Sequence, residues 1–456
     1  MSLMEDLPAE LRCLVLRNAP DLASLRSLVR SSPVMHAQYR EDRNSILRTC
    51  LNREMHGYVT DAYATAMSRG CEPGSPRSNK EIAGFLDLYK SASPPGIDAI
   101  SAEGLYWLAT FHTTVAIPLS RLYPRWALAN LKKASSLSKE DKPMSKAASK
   151  KIEREETISL SRSEEIRVMQ AIYRHETYNH LFGQAEDQRD GSLTNYDIHG
   201  VFFCKFEPWE SEAIGCIDVF LRDQYKGIFD KVKGSDAADF DEDQHRIVLA
   251  KPGAINPGFS GLNPAGFAKM AENLATLHYI DRIIARGLKS SVWLLQLDEE
   301  TKFDFSMQQH LEHLGRDVGT KDDPMRLALG TNAQQFRRMV RSADPRDEAE
   351  VRRDSIAFLG DDINGDDDED DAVLAADGVE ATGRPPVAWV LLWKGKYSHL
   401  YGDYVPSPLR QWGYVMWDER RWNDLEATDL VAKQWESSPE FAERIWRMYH
   451  WSPLED

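Results

Sequence analysis

Residues Glu5 to Arg43 read EDLPAELRCLVLRNAPDLASLRSLVRSSPVMHAQYREDR. Pro8 suits a first helical turn, because its ring presets φ and its missing N–H has no partner there. Leu11, Val15 and Asn18 follow at helical spacing, with Leu14 beside them. Pro20-Asp21 breaks that helix and starts another, in which Leu22, Leu25, Leu28 and Val29 make an apolar stripe. Ser31-Ser32-Pro33 ends the second helix and begins a third, running toward Tyr39. Three short helices with so little apolar surface make a poor independent core, so they are expected to lean on the rest of the chain or on a partner.

These residues resemble the F-box. That pattern opens Leu-Pro-x-Glu, continues with two aliphatics five and six residues after the Glu, then Leu/Pro, then a leucine-rich second helix. Here it reads Leu7-Pro8-Ala9-Glu10, Val15-Leu16, Ala19-Pro20, and Leu22 to Val29. Arg12 stands where an aliphatic is common, Ala19 where Leu is common, and Ser31-Ser32-Pro33 where many F-boxes carry Cys and Trp. The resemblance covers the first tenth of the chain. It implies a three-helix unit that joins a cullin–RING ubiquitin ligase as a substrate receptor. Leu7, Pro8, Leu11, Val15, Leu16 and Leu25 would contact the small linker adaptor of the ligase, and the rest of the chain would hold an unknown protein target.

Composition bounds the alternatives. A chain of 456 residues with 42% hydrophobic residues has ample material for a sizeable core. Five cysteines lie scattered without a C-x-x-C pair, which argues against a disulfide framework or zinc module and fits a reducing compartment, cytoplasmic or nuclear. The start carries Glu5 and Asp6 and no apolar run, so a signal peptide is not expected. The longest uncharged stretch, Gly104 to Ser120, holds His112 and Pro118 and is short for a membrane span. The net charge is −16, but Asp354 to Gly383 carries eleven acids and no Lys or Arg. The remainder is only mildly acidic, which leaves no electrostatic footprint for nucleic acid.

Along the chain, Ser45 to Met67 reads as helix, followed by a Gly/Pro loop at 68–78, a helix at 79–89, and a long helical stretch at 98–131 interrupted at Pro118 and Pro124. Lys132 to Lys151 reads as a solvated linker. Ser161-Arg162-Ser163-Glu164 is a capping box opening a helix to about Phe182, with Ile166, Met169, Ile172 and Tyr173 on one side. Pro208 starts another helix, and Asn263-Pro264 a third whose stripe runs from Phe267 to Ile284. Residues 341–385 are expected to hold no fixed structure. Ser407-Pro408 caps a further helix and Ser438-Pro439 the last. Only Phe202-Phe203 and Val387 to Trp393 offer short runs that suit strands. The expected layout is an F-box-like unit at 1–45, a helical segment at 46–131, the linker at 132–160, a central body at 161–340, the acidic loop at 341–386, and a Trp-rich tail at 387–456 packed on the central body.

Three further stretches resemble segments shared by uncharacterised proteins of filamentous fungi. They are Ser163 to Phe182, Phe206-Glu207-Pro208-Trp209-Glu210, and Arg410 to Asp418. This likeness implies an all-helical body and brings no activity with it.

Chemical motifs are sparse. His175-Glu176 and His180 imitate H-E-x-x-H with one residue too many; five residues turn a helix by about 500°, leaving the histidines ~140° apart. They are expected at the surface or its boundary. His310 and His313 share a face but have no third ligand nearby. Asp361 to Asp367 fits no calcium-loop register. Phosphate-binding glycine loops and a nucleophile elbow are absent. Eight of the twelve tryptophans fall in the last 68 residues, alternating with Leu, Val and Met, so a tryptophan core is expected there.

The expectation is therefore an all-α protein: an irregular multi-helix body with an N-terminal three-helix F-box-like unit. No enzyme activity, cofactor, metal, nucleic acid or membrane is implied. The two functional readings are a ligase substrate receptor and a helical interaction scaffold whose F-box-like start packs on its own body.

Overall fold

The computed structural model describes residues 4–70, 78–91, 93–137, 159–183, 193–233, 276–277, 279–297, 325–330, 354–358, 360–361, 384–425 and 427–431. Among these the chain is all-α, and Val387 to Trp393 and Phe202-Phe203 are helical or turn rather than strand. Two compact units emerge: residues 1–181, 189–220 and 325–456 form the first, and residues 182–188 and 221–324 the second.

The first unit begins with α1 (Ala9–Arg17), α2 (Leu22–Ser31) and α3 (Pro33–Glu54). Asp21 caps α2 by accepting from the Ser24 N–H, and Ser32 caps α3 by accepting from Val34 and Met35, with Pro33 in the first turn. Thus both predicted breaks fall where the cap chemistry puts them. The third helix is longer than its sequence reading. It passes through the expected boundary at residue 45 with a single non-helical residue, Asp42, and ends at Glu54. The helix read at Ser45 to Met67 is in fact interrupted. Gly57 takes a φ of +91°, and a Cβ there would lie 2.6 Å from Ile166 Cδ1, so only glycine fits this turn before α4 (Val59–Ser68).

Next come α5 (Asn79–Tyr89), closed by a Ser78/Glu81 capping box, and α6 (Ala102–Phe111). A π-helical turn, His112–Ala116, joins α6 to α7 (Ile117–Leu137). Two local causes meet here. Thr113 and Thr114 hydroxyls donate back to the carbonyls of Ala109 and Thr110 at 2.8 and 2.7 Å, and Pro118 has no N–H to offer the preceding turn. The wide turn absorbs both, so the helix continues past Pro118, and past Pro124 inside α7, where the sequence suggested interruptions.

The middle of the unit is α8 (Arg162–Phe182). The predicted capping box is present: Ser161 N donates to Glu164 Oε2 and Glu164 N to Ser161 Oγ, both at 3.1 Å. Nearly every residue from Ser163 to Asn179 is buried, on all sides. A helix enclosed all round is normally apolar all round, yet this one carries Arg167, Gln170, Arg174, His175, Glu176 and Asn179 inside. Around it stand α9 (Asn195–Val201), the start of α10 (Pro208–Lys233), α12 (Met325–Leu329), α13 (Val387–Leu392), α14 (Ser407–Gln411) and α15 (Glu419–Asp424). In α14 the cap is Pro406 and Ser407 is already helical, one residue from the expected start.

The second unit includes residues 221–233, the helical residues 279–285 and α11 (Leu288–Leu295). Ile280, Ile283, Ile284, Leu288, Val292 and Leu294 are buried, Arg222 pairs with Asp281, and the Tyr225 hydroxyl donates to Ser291 Oγ at 3.1 Å. The stripe beginning at Phe267 lies outside the described residues up to this point, as do His310, His313 and the helix expected at Ser438; of the linker expected at 132–160, residues 132–137 continue α7 and 138–158 lie outside the described residues.

The described part of the Trp-rich tail packs into the first unit. Trp389, Trp393, Trp412, Trp417 and Trp422 are all buried, as a tryptophan core requires. Trp417 stacks on Tyr123 of α7 at 6.1 Å and donates its indole N–H to the Trp412 carbonyl at 2.7 Å; Trp412 and Trp422 meet edge to face at 5.8 Å. Replacing Trp417 by Ala removes a filled indole site and its hydrogen bond. The expected loss is about 3–5 kcal/mol, read as a lowered urea midpoint, and a variant as stable as the parent would contradict this core.

Candidate functional site

The adaptor-contact residues implied by the resemblance divide into two groups. Leu11, Leu14 and Val15 span an arc of ~100° on α1, and Leu7 lies in the turn before it. Leu11 is 46% exposed, Leu14 55% and Met4 46%; Pro8 is exposed, and Leu7 and Val15 are half-buried. The other group is not available to a partner. Leu16 is fully buried and Leu25 nearly so. Leu16 is five residues after Leu11, which places it ~140° round the helix, against α3. Leu25 belongs to the stripe Leu22–Leu25–Val29 that α2 turns inward. Leu14 is the exposed residue the pattern did not single out, although its three-residue spacing from Leu11 carried the signal.

Polar groups fasten this face to its support. Arg12, the residue that departs from the F-box pattern, reaches back to the Leu7 carbonyl at 2.6 Å and across to Gln38 Oε1 of α3 at 3.4 Å. Ser32 donates to Glu5 Oε1 at 2.6 Å, tying the entry strand to the α3 cap. At the other end, Arg53 donates to the Ala19 carbonyl at 2.7 Å, satisfying a carbonyl past the end of α1. Arg48 of α3 donates to the carbonyls of Ile97 and Ile100, both at 2.6 Å. The three-helix unit is therefore built into the body through α3, with one apolar face left open.

A second set of polar residues lies inside the body. Arg174 sits between Asp61 Oδ1 and Glu210 Oε1, both at 2.7 Å, and Tyr89 also donates to Asp61. Burial alone would depress the Arg174 guanidinium, but Asp61 and Glu210 hold it well above its ordinary value. Burial would raise Glu210, but Arg174 and Lys90 hold it below. At the N-terminus of α8, Arg167 pairs with Asp418 at 2.8 Å and with Asp361, while Ser163 donates to Asp418 and Arg421 clasps Glu164 with two bonds of 2.6 Å. Asp361 also accepts from Glu419 N at 2.7 Å. Residues 354–358 hold to the tail as well: Tyr397 N donates to the Asp354 carbonyl at 2.7 Å and Ile356 N to the Gly395 carbonyl at 3.0 Å. The expectation of no fixed structure fails for 354–358 and 360–361, where Asp354, Ile356 and Asp361 have backbone and carboxylate partners that the charge run does not reveal; residues 341–353, 359 and 362–383 lie outside the described residues.

The histidines also differ from expectation. His175 is completely buried, with Nδ1 3.2 Å from Asn179 Nδ2 and Nε2 3.5 Å from Asp218 Oδ1. It faces inward because α8 has no outward face. His180 is half-buried beside Ser68 and Glu176. Among the described residues no group of three or more His, Cys, Asp or Glu side chains is placed to hold a metal, and no helix is long and apolar enough to cross a membrane.

No protein family, curated protein or solved structure matches this chain. The site is thus defined by its own geometry: one open apolar face on α1 over a body whose buried charges are matched internally.

The two kinds of buried carboxylate predict opposite pH responses. Glu210, depressed in the fold, contributes stability above its ordinary value of 4.5 and loses it as the pH falls through its lower folded value. Asp361 is raised by burial, with Asp418 adding to the rise and Arg167 opposing it, so its charge works against the fold at neutral pH and that cost is relieved on acidification. Glu210→Gln is expected to cost about 3 kcal/mol at pH 7 and to flatten the acid limb of a stability–pH curve, whereas Asp361→Asn is expected to change stability by less than about 1 kcal/mol. Urea titrations of the three proteins between pH 3 and 8 check both.

Proposed function

We propose that this chain is an F-box-like protein that serves as a substrate receptor of a cullin–RING ubiquitin ligase. In this reading Met4, Leu7, Pro8, Leu11, Leu14 and Val15 seat the small linker adaptor, and the helical body holds a protein target in the cytoplasm or nucleus. The observation that carries the reading is the exposure of Leu11 and Leu14 on the same helix that opens Leu7-Pro8-Ala9-Glu10. Leucines left about half exposed on one short helix, with Leu16 on its opposite side fully buried, suit a surface that is covered by another protein. The chemistry of the described body agrees with a structural role for its buried arginines, since Arg167 and Arg174 are each paired with two carboxylates.

A second reading has its own support. Leu16 and Leu25 are consumed by the protein's own core, and Arg48 binds α3 to the body. In a scaffold of that kind the three-helix start is structural, and α1 merely borders the surface.

Binding separates the two. Mixed with purified adaptor, the full chain is expected to form a complex at micromolar concentration. Leu11→Ala with Leu14→Ala is expected to weaken it at least ~tenfold, since well-packed anchors each carry a kcal/mol or more. The same pair should leave the melting temperature almost unchanged, because both side chains already stand in water. Absence of any complex with the parent protein would overturn the receptor reading in favour of the scaffold.

A further inference from the structure

One half-buried carboxylate belongs to neither the docking face nor the charge clusters of α8, and it touches two separate parts of the first unit. Glu54 is the last residue of α3. Its Oε2 accepts from the N–H of Leu22, the first residue of α2, at 2.8 Å. Its Oε1 stands 3.2 Å from Nε2 of His112, the first residue of the π-helical turn. The other nitrogen of His112 lies 2.9 Å from the Tyr173 hydroxyl on α8. The imidazole is 1% exposed and packs against Tyr58 and Tyr173, each with its centroid 6.3 Å away, and the two tyrosine rings stack on each other at 5.8 Å.

We propose that Glu54 and His112 form a positioning link, Leu22 N–H to Glu54 to His112 to Tyr173, which sets the seat of the α1–α2 docking face from the central helix α8.

Three features support it. The Leu22 N–H is one of the orphan donors of α2; Asp21 takes the Ser24 N–H, so Glu54 completes the cap from another helix. The π turn places His112 at the point where one widened turn shifts the register of everything after it. Plain packing between rings needs no polar atoms, yet here a carboxylate and an imidazole are held at a place almost closed to water, where polar groups are costly unless partnered. The ionisable groups facing His112 are Glu54 from α3, Tyr58 from the turn after it, and Tyr173 from α8; Arg162 and Glu165 of α8 act on Tyr58. Tyr173 Oη and His112 Nδ1 are within hydrogen-bond distance at 2.9 Å, and the link from Nε2 to Glu54 Oε1 is a close polar approach of 3.2 Å without hydrogen-bond alignment.

The inference rests on the receptor reading only for its consequence, not for its existence, and the test keeps the two apart. Hydrogen exchange is measured on the full chain and on His112→Phe, which keeps the ring stack and removes both nitrogens. The amides of Leu22 to Leu25 are expected to exchange on the order of tenfold faster, although the substitution lies in another helix. Glu54→Gln combined with His112→Phe is expected to lower the melting temperature by less than the two single shifts together. Should His112→Phe fail to fold, Tyr173→Phe removes one hydroxyl from the end of the same chain and is expected to loosen the same amides. Unchanged protection of Leu22 to Leu25 in the folded variants, or strictly additive melting shifts, overturns the link. Weakened adaptor binding by these variants, with Leu11 and Leu14 intact, is the functional consequence. A parent chain that binds no adaptor defeats the receptor reading and leaves the exchange result to decide the link.

Discussion

Arg174 is where the architecture is most constrained. Its guanidinium is enclosed by protein and has two carboxylates, Asp61 from α4 and Glu210 from α10, each at 2.7 Å. Its charge also lies 4.6 Å from the Phe206 ring centroid. Removing either acid leaves an under-compensated ion in the interior, so α4, α8 and α10 hold their places together or not at all. The same logic repeats along α8. Arg167 takes Asp418 and Asp361, Gln170 takes the Gly57 carbonyl at 3.0 Å, and Thr177 lies 2.9 Å from Thr65 Oγ1. The buried polar side chains of this helix therefore answer to several different segments. A rotation of one residue, about 100°, would leave several of these groups unpaired at once. Buried ion pairs are not a large net source of stability compared with a well-packed apolar core. What they supply here is a unique register for a helix that is covered on every side.

The N-terminal unit follows a different rule. Its helices are held by backbone carbonyls and caps: Arg12 on Leu7, Arg53 on Ala19, Arg48 on Ile97 and Ile100. Long cationic side chains reach past the helix ends and satisfy carbonyls that have no helical partner. This fastening uses the polar edges of α1 and leaves its apolar face free. Arg12 therefore holds the entry turn down by hydrogen bonds rather than by packing.

Much of this was legible before the structure. Pro8, Asp21 and Ser32-Pro33 marked three helix starts to within a residue, and Ser161 to Glu164 marked the fourth, because caps are local chemistry written in adjacent residues. The tail tryptophans were legible as core from their alternation with Leu, Val and Met. The failures share a physical cause. His175 is expected at the surface or its boundary and nothing in the sequence places Arg167 and Arg174 inside, since burial of charge depends on partners 36 to 251 residues away, and no local pattern announces them. Likewise, Asp361 belongs by composition to an acidic run and by geometry to the Arg167 cluster. The open face was half legible. Leu7, Pro8, Leu11 and Val15 were found through the motif, whereas Leu16 and Leu25 were included with them although helical arithmetic turns both inward.

That last distinction decides how the apolar residues of α1 should be weighed. A leucine is informative as a docking residue only if the fold has declined to bury it. Leu16, with no exposed surface, reports on the core of the unit, and its truncation would test folding rather than recognition. Leu11 and Leu14 are five and two residues before it, on a helix of nine that packs on α3 and, less extensively, on α2. Fixing the ends of α1 by Arg12 and Arg53 holds Leu16 inward and leaves Leu11 46% and Leu14 55% exposed. The half-open face is thus a direct consequence of the way α1 is fastened: a side chain ~140° round the helix from Leu16 keeps part of its surface in water whatever its polarity.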